Sequence, residues 1–67
     1  MAPRERVAIR VKRLRERRDM SQEQLAERAG ISRTYLARLE TARQDPTLGT
    51  LEKLAKALKV KVTELLR

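Results

Sequence analysis

The sequence contains neither cysteine nor histidine, and each absence removes chemistry. Without thiols there is no disulfide framework and no cysteine nucleophile. Without imidazole there is no Ser-His-Asp triad, and without either there is no zinc finger and no haem ligation. A metal would have to be held by carboxylates alone, and neither a metal nor another cofactor is expected. Ser21, Tyr35 and Lys53 are conceivable nucleophiles, but helix caps and solvated lysines are far commoner and nothing beside them is an obvious base, so no catalytic residue is expected. Phenylalanine and tryptophan are also missing and Tyr35 is the sole aromatic residue, too few for a protein that stacks single-stranded bases. Only two Gly and two Pro punctuate the chain, which favours helix throughout. No run of uncharged apolar residues exceeds three, against the roughly 20 that a membrane span requires. A soluble, cytoplasmic protein without a membrane partner is expected.

What the chain does have is positive charge. Its 67 residues carry 17 Lys or Arg against nine Asp or Glu, a formal net charge of +8. The length suggests one domain, residues 1–67, with a core small enough that a dimer partner would help to stabilise it. The charge is uneven: residues 1–18 carry +6, residues 19–46 carry −1 and residues 47–67 carry +3. Such flanks attract polyanions, while the nearly neutral centre must work by specific contacts.

Apolar spacing and capping signals place the helices. Val7, Val11 and Leu14 fall on one stripe of a helix from about Arg4 to Arg18, whose other faces are mostly Arg. Ser21 with Gln24 three residues on is a capping box, and Met20 with Leu25 forms its hydrophobic staple, so a second helix starts at Gln22. Gly30 supplies a left-handed stop. Ser32 caps a third helix from Arg33 to about Thr41, with Ile31 and Leu36 as staple. So short a turn, Ile31 and Ser32 alone after Gly30, is the usual solution of a helix-turn-helix. Thr47 caps a fourth helix, with Leu51, Leu54, Ala55 and Leu58 at i, i+3, i+4 and i+7, and a last turn runs from Val62 to Leu66. Ala26 is small where two helices cross. Leu25, Leu36 and Leu39 fill the angle between the second and third helices, leaving the opposite face of the third free.

At SQEQLAERAGISRTYLARLE, residues 21–40, the sequence resembles the helix-turn-helix transcriptional regulators of the phage repressor and Cro class. The likeness continues through LETARQDPTLGTLEKLAKALKVKVTELL. Within that class SRTYLARLE looks most like the controller proteins of restriction-modification systems. The resemblance implies an all-α, four- to five-helix bundle with its helix-turn-helix core at about 21–41. It also implies a homodimer on an inverted repeat in double-stranded DNA, with two third helices in major grooves about 34 Å apart. No small-molecule effector is implied. Some antitoxins carry the same domain, so an interaction protein is the alternative.

Residue roles follow on that reading. Arg33, Thr34 and Arg38 project from the face opposite Leu36 and Leu39 and are the candidate base contacts, Arg being suited to the O6 and N7 edge of guanine. Gln22 begins the second helix, where free amides favour phosphate; the matching Gln of the class also braces the first residue of the recognition helix. Ser32, Arg43 and the amide end of the fourth helix at Thr47 and Leu48 are further phosphate candidates. Tyr35 is assigned to phosphate through its hydroxyl, with burial in the core as the alternative. Positions matching Arg15 and Glu40 form an ion pair in the class, and the same pair is expected here. The remaining first-helix cations, Arg6, Arg10, Lys12, Arg13, Arg17 and Arg18, read as a solvated face. Val62, Leu65 and Leu66 stand where the class commonly builds its dimer. Three departures have expected consequences: Ala42 in place of Gly should change how the third helix ends and displace Arg43, Gly49 should weaken the start of the fourth, and Lys61 in place of Ser or Thr should leave the last turn uncapped.

Overall fold

Side-chain caps at Ser21, Ser32 and Thr47 start three of the helices, and five helices form among the described residues: α1 (Pro3–Arg17), α2 (Gln22–Ala29), α3 (Arg33–Glu40), α4 (Leu48–Leu58) and α5 (Val62–Leu65). The computed structural model describes residues 3–67; Met1 and Ala2, counted in the expected domain, lie outside the described residues. Among the described residues there is no strand. The capping box forms as the sequence dictates, with Gln24 N donating to Ser21 Oγ at 3.0 Å and Ser21 N to Gln24 Oε1 at 2.8 Å. Ser32 Oγ accepts from Tyr35 N at 2.9 Å, and Thr47 Oγ1 from Thr50 N at 3.1 Å. That cap starts α4 at Leu48 even with Gly49 in its first turn. Lys61 makes no side-chain cap bond.

The first four helices all end in one way. Asp19, Gly30, Ala42 and Lys59 have φ of 54°, 70°, 60° and 57°. Each donates its N–H to the carbonyl three residues back, and the next N–H reaches the carbonyl five back, as in Gly30 to Glu27 (3.2 Å) and Ile31 to Ala26 (3.0 Å). This is the Schellman closure, which satisfies carbonyls that a helix end leaves free. Only one of the four positions is glycine. Ala42 therefore does not alter the end of α3: Ala42 N reaches Leu39 O at 3.1 Å and Arg43 N reaches Arg38 O at 2.8 Å. The geometry is kept and the alanine is strained, because a Cβ in the left-handed region costs roughly 1–2 kcal/mol. Ala42→Gly is expected to raise the free energy of unfolding by about 1 kcal/mol, less than the full strain because glycine also loosens the unfolded chain. Urea denaturation checks this; an unchanged or lowered midpoint would contradict it.

Packing follows the apolar stripes. Val7 and Val11 of α1, Leu25 of α2, Leu36 and Leu39 of α3, Leu51, Leu54 and Leu58 of α4 and Leu65 of α5 make one core, with Leu14, Ile31 and Tyr35 packed partly buried against it. Ala26 is buried in the same core. Two expectations for the periphery change. Leu65 is 0% exposed, so it is a core residue of its own chain and has no surface to offer a second copy; Leu66 is 47% exposed and Val62 half-buried. Arg10 is not part of a solvated face: its Nε donates to the Glu64 carbonyl at 2.9 Å and its Nη2 lies 3.4 Å from Glu64 Oε2, tying α1 to the uncapped α5.

Candidate nucleic-acid interface

The helix α3 has eight residues; with its side chains an α-helix is about 10–12 Å across, which fits a DNA major groove about 12 Å wide. Its inner face is fixed by Leu36 and Leu39, 0% and 1% exposed, and its outer face leaves Arg33, Thr34 and Arg38 exposed. An open groove along that outer face is lined by Gln22, Arg33, Thr34, Ala37, Arg38, Thr41 and Arg43. The fold thus gathers the three candidate base contacts with two of the phosphate candidates, Gln22 and Arg43. The others lie elsewhere. Ser32 is exposed at the N-cap of α3. Tyr35 is half-buried and its hydroxyl donates to Thr50 Oγ1 at 3.4 Å, while the Thr47 hydroxyl reaches the same Thr50 oxygen at 3.0 Å. Tyr35 and Thr47 therefore meet at the start of α4, where Leu48 is 66% exposed.

A buried ionic brace holds this face in place. Arg15 Nε donates to Glu40 Oε2 at 2.7 Å and Nη2 to Glu40 Oε1 at 3.0 Å, a two-pronged pairing, while Nη1 donates to the Met20 carbonyl at 2.8 Å. The Glu40 side chain is only 2% exposed and that of Arg15 12%. Gln22 Nε2 donates to Glu40 Oε1 at 3.0 Å. One carboxylate at the end of α3 thus takes donors from α1 and from the first residue of α2, fixing the angle between the two helices that frame the groove. Hydrogen bonding to Glu40 raises the Arg15 guanidinium above its ordinary value, outweighing the opposing effect of burial. Gln22 is oriented by Glu40, with no bond to Arg33 to match the bracing expected of it.

The groove is unevenly charged. Arg33 Nη1 lies 3.4 Å from Glu23 Oε2, whereas Arg38 and Arg43 have no carboxylate within ion-pair distance among the described residues. Sequence reasoning missed Glu23, Ala37 and Thr41 as members of this surface. The last two were within reach of it, since Thr34, Ala37, Arg38 and Thr41 follow the i, i+3, i+4, i+7 spacing of a single helix face. Among the described residues no cluster of acidic side chains could hold a metal ion.

Two helices joined across a left-handed glycine, the second showing a polar, cationic face to solvent, define a helix-turn-helix module. A family model described as helix-turn-helix (HTH_3) matches residues 11–65, and the chain belongs to that family. It is 47% identical over 57 residues to the immunity repressor protein of Bacillus phage phi105, a match covering 85% of this chain and 40% of the repressor. The chain thus spans about two fifths of that relative's length. Its backbone is similar to that of the restriction-modification controller protein C.AhdI from Aeromonas hydrophila, with a TM-score of 0.92, 32% identity and 97% and 98% of the two chains covered. It is also similar to the biofilm master regulator SinR, solved in complex with DNA, with a TM-score of 0.87, 35% identity and 91% and 98% covered. SinR comes from Bacillus subtilis. These relatives are transcription regulators, and no enzyme stands among them.

Proposed function

We propose that the protein is a sequence-specific regulator of transcription that binds double-stranded DNA, with α3 in the major groove. The observation that carries this is the groove along α3: Arg33, Thr34 and Arg38 on the helix and Arg43 just past its end, with Arg38 and Arg43 lacking a carboxylate partner among the described residues, all mounted on the Arg15–Glu40 brace. Arg33, Thr34 and Arg38 read base edges. Arg43, Gln22, Ser32 and the region of Tyr35, Thr47 and Leu48 hold phosphate and set the register. The chain measures 27 × 23 × 21 Å, less than the roughly 34 Å between successive major grooves on one side of the duplex, so one copy serves one half-site. A homodimer on an inverted repeat accordingly reads a whole site, with Leu66 and Val62 as candidate contacts. No helix among the described residues is long and apolar enough to cross a membrane, in keeping with action in the cytoplasm.

Selection from a pool of random duplex DNA tests the reading directly: recovery of a shared inverted repeat is the expected result, and recovery of no common sequence would overturn it. Salt dependence gives an independent measure. With each Arg43 of a dimer neutralising one phosphate, log K should fall against log salt with a slope of at least about −2. A slope near zero would remove DNA as the ligand.

A further inference from the structure

Among the three arginines of the groove, only Arg33 is already held by a carboxylate. Glu23 sits in the first turn of α2, beside Gln22, and its Oε2 is 3.4 Å from Arg33 Nη1; the two side chains are 72% and 66% exposed. A pair so open to water is weak and exchanges readily. Its position is what matters. Glu23 does not itself line the groove, but it follows Gln22 and pairs with Arg33, which both do, so it sets an anion beside the proposed DNA-binding face.

We propose that Glu23 is a specificity-determining residue: it biases Arg33 away from the phosphates of random DNA and is displaced most readily where a guanine edge takes the guanidinium with two hydrogen bonds. The inference rests on the DNA-binding reading above. On a random duplex a single phosphate must compete with the Glu23 carboxylate and with its repulsion of the backbone, so Arg33 spends less of its time on phosphate. On a matched site the two acceptors of guanine O6 and N7 replace the pair. Glu23 thereby widens the gap between specific and non-specific binding without touching a base.

The test is Glu23→Gln, with Glu27→Gln as a control of equal charge: Glu27 is exposed on the same helix, outside the groove, and has no ion-pair partner among the described residues. Affinity is measured on the duplex recovered by selection and on random-sequence duplex of the same length. For Glu23→Gln we expect random duplex to be bound about two- to fivefold tighter per protomer, with a salt slope steeper by about one as Arg33 joins the phosphates. The selected duplex should gain less, so the specificity ratio falls. In an Arg33→Ala background the change in slope should vanish. Loss of affinity for the selected duplex with random binding unchanged would overturn the proposal, as would an equal effect from Glu27→Gln. A wild-type chain that binds neither duplex would remove the DNA reading and this inference with it.

Discussion

Glu40→Ala is expected to destabilise the fold by about 3 kcal/mol, near the low end for breaking a buried pair, because it removes the buried partner and strands a guanidinium that is itself partly buried. Arg15 would lose both prongs of its pairing and keep only the Met20 carbonyl, and Gln22 would lose the acceptor for its amide. Small domains have little stability to spare, typically 3–5 kcal/mol below about 70–80 residues, so the variant should be partly unfolded at room temperature by circular dichroism. The loss comes from the orphaned charge more than from any net strength of the pair. Replacing both partners, as in Arg15→Met with Glu40→Leu, should therefore recover most of the stability. A single variant that loses less than about 1 kcal/mol in urea denaturation would show that the brace is solvated in solution. Because the Arg15 guanidinium is raised in the folded chain, its contribution is present at every pH below its unfolded value and fades only in strong alkali. Titration of Arg15 therefore adds no pH dependence near neutrality.

The helices and the outward face of α3 were legible in the sequence because local rules dictate them. Ser21 with Gln24, Gly30, Ser32 and Thr47 each act within one turn of chain, and the positions of Leu36 and Leu39 on α3 decide which side of that helix turns outward. What the sequence could not convey depends on more than one element. Val62, Leu65 and Leu66 lie within about 100° of one another on an ideal helix, so periodicity gives them the same role. Burial separates them because α5 stops at Leu65, leaving Leu66 at its end. Arg10 looks like any cation of α1 until α5 places Glu64 beside it. Gln22 could be assigned to phosphate or to Arg33 by position alone, and only the meeting of three helices shows that Glu40 takes its amide. Ala42 misled for a different reason: a residue that disfavours the left-handed region raises the energy of a closure without abolishing it, and both backbone hydrogen bonds of that closure still form.

Arg33→Ala is expected to weaken binding to the selected duplex by about 1–3 kcal/mol, roughly 5- to 150-fold, and to relax base preference at one position in each half-site. Arg43→Ala should instead lower affinity for selected and random duplex alike and reduce the steepness of the salt slope by about one per protomer, since a phosphate contact carries no sequence information. Competition binding with both duplexes at two salt concentrations separates the two. An equal loss on both from Arg33→Ala would mean that α3 does not read bases through this residue. Arg33→Lys should fall between wild type and alanine on the selected duplex, because an ammonium can still donate to guanine O6 and N7 but lacks the preset planar fork of the guanidinium. The Glu23 pairing makes a sharper demand: if Arg33 is already biased away from phosphate, its removal lowers binding to random duplex less in the wild-type background than once Glu23 is glutamine. That dependence of one substitution on the other is a coupling between the first turns of α2 and α3, and a double-mutant cycle on random duplex measures it.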